Sequence, residues 1–264
     1  MLLAIDVGNT NTSIGVFEGE QLRCELRLGT RRDWTRDEFA IALERALALQ
    51  GYGFAAIADA VMASVVPQVD GPIRAALERY VGVQVLAVGP QTETGMPVRY
   101  DPPKDVGADR IVAAVAAHRR YGKDAEGRSV AVIVVDFGTA TTFDVISPVP
   151  EYLGGVIAPG VGISADALFQ RAAKLPRVDV VKPPTVVGRN TVDAIQSGLF
   201  YGYVGLVEGM LARIRGELEW PARAVATGGL ARKVAHETKA IDAVDDDLML
   251  EGLRMIFSRG AGGE

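Results

Sequence analysis

Along the chain, segments with the hydrophobic pattern of β-strands alternate with segments whose hydrophobic residues recur at helical spacing. This alternation predicts a mixed α/β fold. Apolar runs bounded by turn residues predict strands, and apolar residues at helical spacing predict helices. The predicted strands are Leu2–Asp6, Thr12–Phe17, Gln21–Leu28, Ala60–Val66, Val83–Val88, Ile133–Asp136, Thr141–Ile146, Tyr152–Ile157 and Arg223–Thr227. Helices are predicted after a capping box at Thr35–Glu38, over Val69–Tyr80, Ala108–Tyr121, Ala165–Leu175 and Val192–Arg215, and again after Gly228-Gly229.

The two halves of the chain begin alike. Asp6–Thr12 (DVGNTNT) and Asp136–Thr142 (DFGTATT) each follow an aliphatic strand, and their Asp, Gly and final Thr coincide at a constant offset of 130 residues. This offset is close to half of the 264-residue length. Asp-x-Gly is also a common turn tripeptide, so a chance match is the alternative. The repeat predicts a duplicated α/β domain, with halves 1–122 and 123–264 that face one another across a cleft.

Composition narrows the class of protein. With 48% hydrophobic and 23% charged residues the chain is expected to be globular, and its net charge of −5 disfavours nucleic-acid binding. One cysteine and two histidines exclude an internal disulfide and disfavour a structural zinc site. The lone thiol, the early Asp6 and the lack of an apolar stretch of about 20 residues predict a cytoplasmic protein that does not enter a membrane.

The polar turn that begins at Asp6 is a candidate phosphate site. Its glycine permits close backbone approach, its amides and hydroxyls suit phosphate oxygens, and Asp6 suits a bound cation. An ordinary β-hairpin turn is the alternative. The second copy at Asp136 favours the ligand-binding interpretation, because two polar turns that face one another can hold both ends of a polyphosphate.

Gly107–Arg110 lies between a long loop, Gly89–Gly107, and a predicted helix. So long a loop is more often functional than idle. Asp109 is interpreted either as an acidic residue that stabilises the helix start or as a carboxylate that accepts a hydroxyl proton. Arg110 is either solvated or pairs with a substrate anion.

Two glycine-rich segments, Gly154–Gly160 and Ala226–Leu230, are expected to follow strands. They either lie flat against a planar group such as adenine or provide clearance for packing. The sequence contains neither a Walker A loop nor a dinucleotide-binding fingerprint after its first strand, which excludes both nucleotide-binding classes.

Four other features are interpreted as structural. They are the thiol of Cys24 in a predicted strand, the surface residue His118, an acidic helix start at Asp245–Asp247 and a frayed tail over Arg259–Glu264.

The sequence resembles the type III pantothenate kinases, which belong to the actin, heat-shock chaperone and sugar kinase superfamily. The resemblance covers essentially the whole chain and implies two duplicated ribonuclease H-like (actin-like ATPase) domains with a nucleotide cleft between them. The motifs that carry it are Asp6–Thr12, Gly107–Arg110, Asp136–Thr142, Gly154–Gly160 and Gly188–Thr191.

This resemblance implies ATP-dependent phosphorylation of pantothenate to 4'-phosphopantothenate, the first step of coenzyme A biosynthesis. Asp109 would be the proton acceptor, Mg²⁺ would lie near Asp6, and Asp136 would bind the monovalent cation, K⁺ or NH₄⁺. The implied ATP contacts are Asp6, Val7, Gly8, Asn9, Thr10, Asn11, Thr12, Ser13 and Thr139. The implied pantothenate contacts are Tyr100, Gly107, Ala108, Asp109, Arg110 and Thr191. The resemblance also implies a homodimer, in which Thr191 faces a site completed by the partner subunit.

Two other functions use the same scaffold. A non-catalytic regulator would not need the carboxylates Asp109 and Asp136, and both are present. A kinase for another small hydroxy acid or sugar would keep the chemistry and change the pocket.

Overall fold

The computed structural model describes residues 1–261, which form two compact units. The first unit comprises Met1–Ala116 and the C-terminal segment from Asp247, and the second comprises Ala117–Asp246. The C-terminal segment therefore groups with the start of the chain. The evolutionary halves 1–122 and 123–264 stay a prediction, and residues 262–264 lie outside the described part of the chain.

Ten strands and seven α-helices make up the two units in the described residues. The strands are β1 Leu2–Val7, β2 Asn11–Glu18, β3 Gln21–Gly29, β4 Asp59–Ser64, β5 Val85–Ala87, β6 Ala131–Phe137, β7 Ala140–Ile146, β8 Tyr152–Pro159, β9 Ala222–Gly228 and β10 Ala243–Val244. The helices are α1 Arg36–Leu49, α2 Pro67–Ala76, α3 Ala108–Tyr121, α4 Val161–Arg171, α5 Thr191–Glu217, α6 Ala231–Ala235 and α7 Leu248–Ala261.

Each unit contains a five-stranded sheet, and the two sheets have the same topology. The first sheet has the order β3-β2-β1-β4-β5, and the second, read from β8, has the order β8-β7-β6-β9-β10. In both sheets three antiparallel strands are followed by two that run parallel to the first strand of the unit. The predicted duplication of an α/β domain is therefore confirmed.

The repeat extends to an irregularity in the pairing of the second and third strands of each unit. The register shifts opposite Val16 and Phe17 of β2, where β3 has the extra residue Arg23, and opposite Val145 and Ile146 of β7, where β8 has the extra residue Leu153. Both bulges lie at the same distance from the preceding turn, because Thr12 opposes Val7 and Thr141 opposes Phe137 at the two turns.

That register corrects the alignment of the two motifs after the turn. The constant offset pairs Thr12 with Thr142, whereas the strand register makes Thr12 equivalent to Thr141. The reason is that the turn after β6 is one residue shorter than the turn after β1. Thr12 and Thr141 are both buried, with 2% and 1% of their surface exposed, which agrees with the corrected pairing.

Helices pack their apolar side chains against the two sheets. One face of the first sheet packs against α1 and α2, and its other face packs against α7 through Leu250, Leu253 and Ile256. In the second unit β6 and β7 pack against α5. The capping box at the start of α1 is present, with reciprocal hydrogen bonds between Thr35 and Glu38.

Several element boundaries differ from the prediction. The helix predicted over Val69–Tyr80 is an α-helix only to Ala76 and continues as one π-helical turn over Leu77–Val81. The predicted frayed tail is wrong as far as Ala261, where α7 ends. The strand β10 was not predicted, since two residues carry no recognisable period.

The residues interpreted as structural have specific partners. Cys24 is buried, and this burial, followed by the nearby charge of Glu25, raises the pKa of its thiol. His118 is half-buried, with Nε2 3.1 Å from the carbonyl oxygen of Pro148, so it is a partly exposed residue with a structural contact.

The acidic run before α7 is more than a helix start. A carboxylate oxygen of Asp245 accepts hydrogen bonds from Arg120 at 2.7 Å and from the hydroxyl of Tyr121 at 3.0 Å. Burial, followed by these contacts with Asp245, raises the pKa of Tyr121 to about 12. Asp245 therefore ties the end of α3 to the segment that follows β10.

Candidate active site

The first polar turn lies between the antiparallel strands β1 and β2. The backbone N–H of Gly8 donates to the carbonyl of Asn11 at 3.0 Å, and a Cβ at Gly8 would lie only 3.1 Å from that same oxygen. Asp6 is half-buried at the end of β1, while Asn9 and Thr10 are exposed in the turn. The turn thus combines exposed amide and hydroxyl groups, which can bind phosphate oxygens, with a carboxylate that can hold a cation beside them.

Thr30 stabilises this turn through hydrogen bonds. Its hydroxyl donates to the carbonyl of Gly8 at 2.7 Å and lies 2.9 Å from the hydroxyl of Thr12, and its N–H donates to the carbonyl of Thr10. Thr12 is thereby engaged inside the protein, and Val7 is fully buried. Sequence reasoning missed Thr30, because it follows β3 and lies 18 residues beyond Thr12.

Asp109 occupies the first turn of α3, where a negative charge interacts favourably with the helix dipole. Its Oδ1 accepts the backbone N–H of Arg110 at 2.8 Å, and a Cβ at Gly107 would lie 2.4 Å from that Oδ1. Burial raises the pKa of Asp109 despite the opposing effect of Arg110. A half-buried carboxylate with a raised pKa is suited to accept a proton.

Val65 brings the Asp109 segment next to the end of β1. The N–H of Val65 donates to the carbonyl of Val7 at 3.0 Å, and a Cβ at Gly107 would lie 4.0 Å from Cγ1 of Val65. Within the first unit, Val65 therefore contacts the end of β1 and lies close to Gly107, two residues before the candidate base Asp109. Tyr100 is half-buried in the preceding loop, which contains a short 3₁₀ helix at Pro103–Asp105.

The second polar turn, after β6, encloses the carboxylate of Asp136 between glycines. A Cβ at Gly228 would lie 2.5 Å from Oδ1 of Asp136 and 2.7 Å from the carbonyl oxygen of Phe137, and Gly228 has a φ of +89°. A Cβ at Gly138 would lie 3.6 Å from Oδ2. Glycine at 228 thus leaves open a space that a side chain would fill. Of the two interpretations of the Ala226–Leu230 segment, the need for clearance explains the glycine at this position.

Gly160, which directly follows β8, packs against the same turn. A Cβ at Gly160 would lie 2.2 Å from the carbonyl oxygen of Thr139, so the backbone of the glycine-rich segment lies directly against the turn. Thr139 itself is exposed. A contact of either glycine-rich segment with adenine stays a prediction.

Thr191 is the first residue of α5 and is exposed. The N-cap residue Asn190 accepts the N–H of Asp193 at 2.9 Å, and a Cβ at Gly188 would lie 2.3 Å from the backbone nitrogen of Ala194. The motif Gly188–Thr191 therefore builds a tightly packed helix start. Thr191 also lines a cavity of about 430 Å³ with Leu168 and other apolar residues.

The candidate residues distribute over the two units. The first unit contains Asp6–Ser13, Tyr100 and Gly107–Arg110, and the second contains Asp136, Thr139 and Thr191. Among residues 1–261, no helix is long and apolar enough to span a membrane, and no three acidic, histidine or cysteine side chains group around a possible metal position.

The absence of a larger acidic group in the described residues is compatible with the cations that the sequence implies. Mg²⁺ in nucleotide sites is usually held by one or two carboxylates and by phosphate oxygens, which Asp6 and the adjoining turn would satisfy. A monovalent cation requires less negative charge than a divalent one. Asp136 provides one carboxylate in a space that Gly228 keeps open, so the residues present fit such an ion.

Comparison with known proteins agrees on one family. The family model described as type III pantothenate kinase matches residues 2–213. The type III pantothenate kinase of Myxococcus xanthus is 52% identical over 259 residues, which cover 98% of this chain and 98% of that protein.

Solved structures share the fold. A structure described as a conserved putative Baf family transcriptional activator from Campylobacter jejuni has a TM-score of 0.60 at 18% identity, covering 98% of this chain and 99% of that chain. An inorganic polyphosphate/ATP-glucomannokinase from Arthrobacter has a TM-score of 0.51 at 15% identity, covering 98% of each chain. At these identities the likeness establishes the fold alone.

Proposed function

The chain belongs to the type III pantothenate kinase family, and from that membership we propose its reaction. It phosphorylates pantothenate with ATP to give 4'-phosphopantothenate, the first step of coenzyme A biosynthesis. The observation that carries the proposal within the structure is the position of Asp109, a half-buried carboxylate in the first turn of α3, in the segment whose Gly107 lies close to Val65.

Asp109 acts as the proton acceptor in this proposal. The primary hydroxyl of pantothenate loses its proton to Asp109 as its oxygen bonds to the γ-phosphorus, and the bond from that phosphorus to the β–γ bridging oxygen breaks to release ADP. Phosphoryl transfer through a loose transition state needs positioning more than a strong base. The raised pKa of Asp109 assists the transfer, because it increases the affinity of the carboxylate for the proton.

The turn Asp6–Ser13 holds the phosphates of ATP, and Thr139 provides a further ATP contact. Exposed Asn9, Thr10 and Asn11 offer amide and hydroxyl groups, whereas buried Val7 and Thr12 contribute through their backbone. Asp6 holds Mg²⁺ near the phosphate oxygens, and the ion when bound neutralises phosphate charge.

Pantothenate contacts Tyr100, Gly107–Arg110 and Thr191. The guanidinium of Arg110 suits the carboxylate of pantothenate, because its planar donors match a carboxylate in two parallel hydrogen bonds. Asp136 holds the monovalent cation, K⁺ or NH₄⁺. The reaction takes place in the cytoplasm, in agreement with a single reduced cysteine.

We also propose that the protein is a homodimer that associates through the α4–α5 region. The exposed apolar side chains there include Phe169, Val186 and Val187, with 46%, 62% and 78% of their surface exposed. Gly198 and Gly202 on α5 have no atoms within 4 Å of a Cβ position, so this side of the helix is open. Exposed apolar area of this kind marks protein interaction sites, and a second copy would cover it next to Thr191.

A direct assay tests the reaction. The purified protein is incubated with ATP and pantothenate in KCl, and 4'-phosphopantothenate is measured by mass spectrometry alongside ADP release. We expect product only with both substrates, and less product when NaCl replaces KCl. ADP release with a sugar or another hydroxy acid, but not with pantothenate, would contradict the proposed substrate.

The dimer is tested separately by sedimentation. We expect the wild-type protein to sediment as a dimer and Gly202→Arg to sediment as a folded monomer with weakened use of pantothenate. Gly216→Arg is the matched control, because Gly216 also has no neighbouring atoms within 4 Å but lies near the far end of α5. A wild-type monomer with full activity would contradict the dimer.

A further inference from the structure

Asp136 belongs to a row of polar residues that crosses three strands of the second sheet. It is directly opposite Thr142 on β7 and directly opposite Thr227 on β9. Residues in such register project to the same face of a sheet. Thr142 is half-buried and Thr227 is buried, with 4% of its surface exposed. Two hydroxyl groups therefore flank the carboxylate to which the proposed function assigns the monovalent cation.

A buried carboxylate orients the first of these hydroxyls. Thr142 Oγ1 donates to Oδ2 of Asp144 at 3.0 Å, and the hydroxyl of Tyr152 donates to Oδ1 at 2.7 Å. Asp144 is only 1% exposed, and Tyr152 is fully buried. Because a hydroxyl has one hydrogen and two lone pairs, this bond leaves Thr142 with lone pairs alone to present to an approaching ion.

The first sheet lacks this arrangement at the equivalent positions. Asp6 is opposite Ser13 and Ala63, and the residue that corresponds to Asp144 is Gly15. The shared topology therefore does not impose the row of hydroxyls or the carboxylate behind it.

The chemistry of the row suits a monovalent cation. One carboxylate neutralises one positive charge, and neutral hydroxyl oxygens complete the coordination, as carbonyl oxygens do in potassium-selective sites. The same lone pairs accept hydrogen bonds from NH₄⁺. Asp144 is not itself a ligand in this arrangement, because both its oxygens accept hydrogen bonds from other residues.

We propose that Thr142 is a ligand of the monovalent cation and that Asp144 is a positioning residue that sets the orientation of the Thr142 hydroxyl. The inference rests on the proposed binding of the cation at Asp136. It adds one ligand and one supporting residue to that site.

Thermal unfolding measures cation binding without reference to catalysis. The melting temperature of the full chain is followed as KCl replaces choline chloride at constant ionic strength, and the half-saturating KCl concentration is fitted, since a ligand that binds the folded state stabilises it. Each variant is first melted in choline chloride alone to establish that it folds.

We expect Thr142→Val to raise the half-saturating KCl concentration at least about tenfold, and Asp144→Asn to raise it roughly tenfold, the range typical for losses around a metal ligand. Thr142 and Tyr152 donate to different oxygens of Asp144, and asparagine replaces one of these oxygens with an NH₂ group that cannot accept. Thr142→Ser restores the hydroxyl and is expected to stay within about threefold of wild type. Ser13→Ala, the equivalent change in the first sheet, is expected to leave the KCl dependence unchanged.

The results separate the two proposals. If wild type shows no KCl-dependent stabilisation, or if Asp136→Asn keeps it, the cation at Asp136 is wrong. If Asp136→Asn abolishes the effect but folded Thr142→Val keeps it, only the role of Thr142 is overturned. If Thr142→Val fails to fold, Thr142→Ala replaces it, again paired with Thr142→Ser. Equal weakening by Thr142→Ser and Thr142→Val would also contradict a hydroxyl ligand.

Discussion

The two sheets share strand order, pairing and the position of a β-bulge, yet their acidic turns have different surroundings. In the first, Asp6 is beside Ser13 and Ala63, and in the second, Asp136 is beside Thr142 and Thr227. The comparison teaches that duplication preserved the backbone while side chains on neighbouring strands diverged. In the proposed function one copy holds phosphate and Mg²⁺, and the other holds a monovalent cation.

Packing explains why the copies cannot exchange these roles. Gly15, which occupies the position of Asp144, has little space, because a Cβ there would lie 3.0 Å from Leu22 Cδ1 and 3.1 Å from Leu250 Cδ1. Leu250 belongs to α7, which covers that face of the first sheet. A carboxylate cannot be accommodated where an apolar helix has taken the space.

The largest expected effect comes from Asp109, the proposed base in the first unit. Asp109→Asn should lower kcat by about a thousandfold, because the asparagine amide cannot accept the proton. The coupled assay measures the loss. If the two units divide the work as the comparison indicates, the KCl-dependent stabilisation of this variant should match wild type. Turnover near the wild-type value would remove Asp109 from the chemistry.

The same substitution should also stabilise the protein. Burial raises the pKa of Asp109 above that of the unfolded chain, so its contribution to folding is most favourable at low pH and is lost as pH rises through the folded-state pKa. At neutral pH the ionised carboxylate therefore destabilises the fold. We expect Asp109→Asn to melt at a higher temperature than wild type near pH 7, and the difference to shrink toward about pH 4.

Introducing a carboxylate into the first sheet at the position equivalent to Asp144 should destabilise the protein. Gly15→Asp introduces an unpaired charge beside Leu22 and Leu250 and should reduce the free energy of unfolding by about 3–5 kcal/mol. Gly15→Ala, the control, should cost about 1 kcal/mol, since the methyl groups of Leu22 and Leu250 and the ring of Phe17 must shift only slightly to admit a methyl group. Urea unfolding measures both changes. A stable Gly15→Asp protein would contradict packing as the reason for the difference.

A smaller effect is expected from substitution of the glycine beside Asp136. Gly228→Ala places a Cβ 2.5 Å from the carboxylate at a φ of +89°. It should lower the free energy of unfolding by roughly 1–3 kcal/mol and weaken the binding of KCl. Gly138→Ala is the matched control, because its Cβ would lie at an ordinary distance of 3.6 Å. Equal urea midpoints for the two variants would show that the enclosure by Gly228 is unimportant.

The smallest effect should follow removal of the hydroxyl on the other side of Asp136. Thr227→Val should raise the half-saturating KCl concentration about threefold, less than Thr142→Val, because the described residues provide no carboxylate to orient Thr227. The same KCl titration by thermal unfolding compares the variants. A larger effect for Thr227→Val would make β9, rather than β7, the main source of hydroxyl ligands.

Much of the fold was predictable because the hydrophobic periods are strong and the acidic turn recurs. The two Asp-x-Gly turns indicated duplication, and α3 was predicted with its observed bounds. The alignment slipped by one residue after the turn, since a one-residue difference in turn length leaves the apolar pattern almost unchanged. The identical strand order of the two sheets could not be predicted from the sequence, because it depends on pairing between strands that are distant in sequence.

The site was predictable where residues adjoin in sequence and not where the sheet brings them together. The turns and Gly107–Arg110 were recognised as motifs. Only the register places Thr142 and Thr227 opposite Asp136, and Asp144 is linked to them through its hydrogen bond with Thr142. A charged residue inside a buried strand was the available signal for Asp144. Thr30 offered no comparable signal.

The buried thiol of Cys24 has a practical consequence for spectroscopy. It is the one cysteine of the chain, and its burial and raised pKa keep it protonated and poorly accessible to alkylating reagents near neutral pH. A cysteine introduced at an exposed position, such as Thr139, would therefore react with a fluorescent maleimide while the native sulfur stays unmodified. The wild-type background thus already permits single-dye reporters of nucleotide binding.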